Sequence, residues 1–286
     1  MLTILFDGVA YGMLLFVLAC GLAVTLGLMN FVNLAHGVFA MGGGYITALL
    51  MNRAGVPFLA TLPLAFLIPA LAGLVLERLL YRWLYGASQL DQVLLTIGLV
   101  LMAVPAFDYF LTDQAQQIHL PAYLEGRIEF HGVSLGAYRL FLILVCGLIA
   151  ALLQIFLVST RFGAQLRAAV DDPRVAAGLG VDVERLFAVA FATGSGLAGL
   201  GGALAADVVG GVDPNFPIKF MVSFLIVVAI GGSRGIAGAF FGALLLGVLD
   251  VAGKYYFPSI GAFIIYAVMV TTLILRPQGL FAKGGA

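Results

Sequence analysis

Three polar side chains recur at intervals of three near the N-terminus: Asn30, Asn33 and His36, in MNFVNLAHG. In a helix this spacing sets them along one face. Between apolar runs such a stripe must face protein or water. It can close a hydrogen-bonded network around a turn, or it can line the route of a solute or its inner gate. The carboxylates sit elsewhere. Asp7, Asp108, Asp207 and Asp250 fall near one set of ends of the apolar runs, and Glu77 and Asp91 near the other. With no carboxylate at the middle of a run, His36 is the one candidate for proton coupling, which argues against an ion- or proton-driven carrier. No nucleophile–base or acid–base pair is evident, so no catalytic residues are assigned. Cys20 and Cys146 lie inside apolar runs and read as packing residues. Nothing has metal-ligand spacing, and no G-x-x-x-x-G-K-[ST] phosphate loop occurs.

Glycine is the other chemically suggestive residue. There are 37, in clusters: Gly42-Gly43-Gly44, GSGLAGLGGAL at 194–204 and GGSRGIAGAFFGALLLG at 231–247. Small residues four apart, as in Gly194/Ala198/Gly202 and Gly238/Gly242, let helices approach closely in lipid. Gly42–Gly44 and Gly231–Gly232 instead read as places where backbone is exposed to a ligand.

The elements that position these residues are apolar. The chain is 63% hydrophobic, against roughly 45–50% for a soluble domain, so it is expected to be an all-α polytopic membrane protein. Its net charge of zero gives no reason to expect nucleic acid. Nine candidate membrane segments lie near 7–29, 37–52, 57–81, 91–112, 139–158, 186–208, 219–231, 235–253 and 260–275, a count that could be eight or ten. The second and seventh are short and read as tilted, broken or re-entrant. The start has no basic n-region and is expected to be a retained first span. Alternation of the segments puts Arg78, Arg82, Arg161, Arg167, Arg174, Arg185, Arg234, Arg276 and Lys283 on one side. Arg53, Arg127, Arg139, Lys219 and Lys254 fall on the other. The richer side is expected to be cytoplasmic, with the N-terminus outside and the C-terminus inside.

Two connections stand out in a single transmembrane domain spanning 1–286. The outer one, 113–138, alternates and carries turn residues, which suits a short hairpin. The inner one, 159–185, holds four arginines, three aspartates and a glutamate. It reads as a short helix, a stop at Asp171-Asp172-Pro173 and a second helical turn that Gly178 and Gly180 can end. It is either a solvated loop or a docking element for a soluble partner.

Four motifs resemble the permeases of branched-chain amino acid ABC transporters, the LivH type. They are NLAHGVFAMGGGY (33–45), the charged run from Gly163 to Asp182, GGSRGIAGAFFGA (231–243) and LRPQGLF (275–281). Their order spans the chain from about residue 7 to 281. Gly43-Gly44 and Arg234 depart from the family's usual residues. The resemblance implies a bacterial inner-membrane permease with a LivM-type permease partner. It also implies two ATPase subunits that bind ATP and Mg, an extracytoplasmic solute-binding protein and a small hydrophobic solute. This chain itself would bind no cofactor. Family relatives carry urea, short amides or aromatic acids, which remain alternatives; a self-sufficient carrier or channel is the reading of a different class.

On this resemblance 159–185 is the coupling loop, and Gly163, Arg167, Ala168, Asp171, Asp172, Arg174, Ala177 and Gly180 are its expected ATPase-facing residues. Arg167, Asp171 and Asp172 are expected to act in docking rather than in folding. The route is expected to pass Asn33, His36, Gly42, Gly43, Gly44, Tyr45, Thr96, Gly231 and Gly232, by alternating access.

Overall fold

The computed structural model describes residues 1–29, 31–111, 114–130, 133–232, 236–276 and 279–280. Asn30, Ser233, Arg234, Pro277, Gln278, Phe281 and Lys283 lie outside the described residues. In chain order the helices are α1 (Leu2–Met29), α2 (His36–Ala54), α3 (Phe58–Leu79), α4 (Gln89–Phe110), α5 (Ala122–Glu125), α6 (Ala137–Ser159), α7 (Arg161–Asp171), α8 (Pro173–Gly178), α9 (Val183–Val208), α10 (Phe216–Gly231), α11 (Ile236–Tyr256) and α12 (Gly261–Leu275). A 3-10 turn, Tyr81–Leu84, joins α3 to α4. Strands β1 (Arg127–Phe130) and β2 (Val133–Gly136) pair antiparallel within the connection 113–138. Each of the nine apolar segments coincides with a helix, and the expected hairpin is there.

Among the described residues six helices, α1, α3, α4, α6, α9 and α11, are long and apolar enough to cross a membrane, and α10 and α12 are shorter apolar helices. The second segment differs from expectation. It is one unbroken helix of 19 residues, about 28 Å long at 1.5 Å per residue. Its three glycines do not interrupt it. The helical cost of glycine, about 1 kcal/mol each, is offset by the close helix contact that two of them permit.

Helix boundaries follow from local chemistry. Ser88 and Asp91 form a reciprocal capping box at the start of α4. The Thr160 hydroxyl accepts from the Gly163 N–H at 3.3 Å. Asp172 opens α8, its Oδ1 accepting from Arg174 N at 2.9 Å and Val175 N at 3.0 Å. Asp182 opens α9 by accepting from Arg185 N at 3.0 Å. Gly55 ends α2 in the left-handed region, φ +64°.

Burial orders the bundle radially. In the most apolar stretch of α9, 78% is buried, against 11% in α4. Helix α9 packs on α3, α2 and α1, and α1 packs on α11 and α9. Glycine backbones set these seams: Gly247 lies against Gly12, Gly194 against Gly21, and Gly202 against Ala40. The Gly194/Ala198/Gly202 and Gly238/Gly242 sets are thus packing residues, as their spacing suggests. The basic residues also separate by end. Arg78 and Arg82 border a cavity together with Pro173, whereas Arg127 and Arg139 border one together with Asp7 and Asp207.

Candidate functional site

The expected route residues divide into several small environments. His36 begins α2 and is 2% exposed. Its Nε2 lies 2.8 Å from the Leu18 carbonyl of α1. A carbonyl only accepts, so the ring proton belongs on Nε2. The ring meets Phe224 of α10 edge-on at 5.8 Å, and it fills the space left by Gly21. It therefore ties three helices together. The His36 N–H reaches back to the Asn33 carbonyl at 3.4 Å. Asn33 is 1% exposed, and among the described residues its Oδ1 has no hydrogen-bond partner.

Consecutive glycines in α2 face different ways. A Cβ at Gly43 would strike the backbone of Gly199 in α9, and one at Gly44 would come within 2.6 Å of Val212. Gly42 faces α4, where the nearest atom is Cζ of Phe107 at 3.9 Å. The Tyr45 ring packs against the same Phe107 at 5.3 Å. Gly43 and Gly44 are thus closed into helix packing, while Gly42 has room beside it.

Thr96 is fully buried in α4, and its hydroxyl donates to Gln92 O at 2.8 Å in its own helix. Gln92, one turn earlier, makes the longer-range link. Its Oε1 accepts from Val32 N at 3.0 Å and its Nε2 donates to Leu84 O at 3.1 Å. Gly231 and Gly232 form a separate environment. Gly231 abuts the backbone of Gly238 and Ala239 in α11. Gly232, at φ +81°, ends α10 and receives Gly279, at φ +93°, against its backbone. The Leu280 N–H donates to Ile230 O at 2.8 Å. The end of α10 thus meets Gly279 and Leu280.

At the other element of interest, α7 lays Gly163, Leu166 and Ala169 inward. Arg167, Ala168, Asp171, Arg174, Ala177 and Gly180 are exposed. Gly163 is needed because a Cβ there would meet the Leu157 carbonyl at the end of α6. That same carbonyl accepts from the Arg167 guanidinium, satisfying one of the free acceptors of a helix C-terminus. Arg167 and Asp172 therefore do have folding contacts, contrary to expectation; Asp171 and Arg174 remain outward. Val175 and Leu179 are also outward, 58% and 80% exposed.

The groups between α7–α8 and the bundle are not among the expected route or coupling residues. Glu77, at the end of α3, is 1% exposed. Its Oε1 accepts from the Tyr85 hydroxyl at 3.0 Å, and among the described residues its Oε2 has no hydrogen-bond donor. Arg78 stands 3.8 Å from that carboxylate and 3.9 Å from Glu184 of α9. Burial, and then the Glu77 carboxylate, push the Tyr85 phenol well above its usual range, so it remains a donor. These groups border a cavity of about 360 Å³ that Ala169, Val170 and Pro173 close from the other side. The available signal was the one acid of the apolar segment 57–81, placed beside Arg78. At the opposite end Asp7 pairs with Arg139 and Asp250 with Lys254, the latter at 2.6 Å.

An apolar helical bundle of this kind, with polar groups gathered at its two ends, is a polytopic membrane protein. The sequence profile of the family described as branched-chain amino acid transport system, permease component, matches residues 4–273, and the chain belongs to that family. It is 25% identical to the high-affinity branched-chain amino acid transport system permease protein BraD of Pseudomonas aeruginosa, over 98% of this chain and 95% of that protein. It is 26% identical to the permease protein LivH of Salmonella typhimurium, over 98% of this chain and 94% of that protein. The permease protein LivM of the same organism is 27% identical over 94% of this chain and 68% of its own length. No solved structure matches the chain significantly.

Proposed function

We propose that this chain is one of two membrane-spanning subunits of an ABC importer for branched-chain or other hydrophobic amino acids. The carrying observation is the family match over residues 4–273. The partner would be a LivM-type permease; its likeness to this chain over 94% of the sequence suits two subunits that face each other with similar folds. Two ATPase subunits, holding ATP and Mg, would sit under α7 and α8. The exposed Val175 and Leu179 offer them an apolar contact framed by Asp171 and Arg174, a common interface composition. The end bearing α7 and α8 would face the cytoplasm of a bacterial inner membrane. The opposite end, with β1 and β2, would receive the solute-binding protein.

In this reading ATP binding moves α7 and α8 as a lever. The stiff link is the elbow at Leu157, where Gly163 lets α7 approach α6 and Arg167 ties it down. Glycine seams around α9 and α1 let the helices shift against one another with little side-chain interlocking. The solute would pass on the Gly42 and Tyr45 side of α2, where Phe107 gives an apolar wall; Gly43 and Gly44 would keep α2 against α9.

Reconstitution tests this. Proteoliposomes with both permeases, the ATPases and the binding protein should take up leucine, isoleucine or valine only with ATP. Uptake by this chain without any ATPase subunit would refute the ABC reading.

A further inference from the structure

We infer that the cavity between α3, α9 and the α7–α8 element is a binding site for a free zwitterionic amino acid. Its volume of about 360 Å³ lies at the lower end of the range for small-molecule pockets, roughly 300–1,000 Å³. Its walls are of two kinds. Glu77, Arg78, Arg82 and Glu184 supply both signs of charge, and Val170 and Phe187 an apolar surface. The decisive group is Glu77. A buried carboxylate oxygen without a donor is costly, and among the described residues its Oε2 has none. Arg78 approaches only to 3.8 Å, too far for a hydrogen bond. An α-ammonium group taking that place beside Oε2 would free Arg78 to join Arg82 on the ligand's carboxylate. An aliphatic side chain would then lie on Val170 and Phe187.

This inference rests on the proposed function for the identity of the ligand, the transported amino acid, and for placing the cavity on the cytoplasmic side. The site is then on the product side of the membrane. Its ligand would bridge the coupling element to α3 and α9 and hold the two together. Imported amino acid would accordingly slow further import.

The test uses the assembled complex of both permeases and ATPases without binding protein. Radiolabelled L-leucine should bind saturably. Leucine methyl ester, which lacks the carboxylate, and 4-methylpentanoate, which lacks the ammonium group, should not displace it. Glu77→Gln should weaken binding at least tenfold. Because Glu77 is buried and its replacement can disturb folding, Arg82→Gln at an exposed position serves as the second variant, with the same expectation. In proteoliposomes, leucine on the ATPase side should lower ATP hydrolysis in the parent complex and not in Arg82→Gln. A complex that imports leucine but does not bind it in this assay overturns the site, as it would if an ATPase side chain filled the cavity. Displacement by 4-methylpentanoate, or unchanged binding in both variants, overturns it as well. A complex that binds leucine here but imports none refutes the transport reading and leaves the site standing.

Discussion

Gly42, Gly43 and Gly44 are neighbours in sequence with three different surroundings, and substitutions should separate them. Gly43→Leu drives a side chain into the Gly199 backbone. Overpacking costs about 1–3 kcal/mol, and a backbone neighbour cannot turn aside, so the folded chain should be depleted in detergent extracts. Gly42→Ala meets only Phe107 and should accumulate like the parent, judged by size-exclusion yield. Equal yields for both would refute the α2–α9 contact. His36 can be tested in the same way. The Leu18 contact needs an N–H donor, so His36→Gln should retain a higher thermal midpoint than His36→Leu. The reverse order would show that the ring serves by shape alone. None of these assignments could be read from spacing. Periodicity identified the segment containing Gly42–Gly44, but its neighbours on every side are apolar. A helix that is apolar all round gives no sign of which face meets protein and which meets lipid.

At the scale of elements, α7 and α8 were legible because their sequence is polar and charged. There the chain is punctuated: Asp172 before Pro173 starts a helix, and Gly180 at φ +85° follows one. Helical periodicity on α7 also carries information, since its buried Gly163, Leu166 and Ala169 recur every three residues while Gln165, Arg167 and Asp171 are exposed. What stayed hidden was a contact between elements, the Arg167 bond to Leu157. Two kinds of substitution should therefore behave differently. Asp172→Ala removes the α8 cap, a local cost of about 0.5–2 kcal/mol, and should show as faster amide exchange within residues 173–178. Leu179→Glu changes a side chain that touches little of its own fold. It should leave the melting temperature within a degree or two while reducing the ATPase recovered with the permease. Full recovery of ATPase would remove Leu179 from the docking surface.

For the whole molecule, the charge pattern was the most legible property. Basic residues assigned to opposite sides by simple alternation do gather around opposite ends, Arg78 and Arg82 at one and Arg127 and Arg139 at the other. The carboxylates follow them: Asp7 and Asp250 are paired with Arg139 and Lys254 near one end, and Glu77 lies at the other. Such a distribution leaves no carboxylate relay through the middle among the described residues. Uptake by the complete complex should therefore persist when a proton ionophore collapses the pH gradient and ATP is supplied. Loss of uptake under those conditions, with hydrolysis intact, would assign the driving force elsewhere.

The seam between α1 and α11 bears on how the chain is made. Helix α1 has as its main neighbour a helix encoded about 200 residues later. At typical synthesis rates of about 5–20 residues per second, that is a delay of roughly 10–40 s. Through this interval the glycine face of α1, Gly8 and Gly12, has no Val248 or Leu244 to meet. Nascent chains halted before residue 236 should consequently leave α1 open to cross-linking by membrane chaperones or lipids, and chains extended past residue 256 should close it. Quality control of this protein would then depend on completion of its C-terminal third, however early its N-terminal half had entered the bilayer.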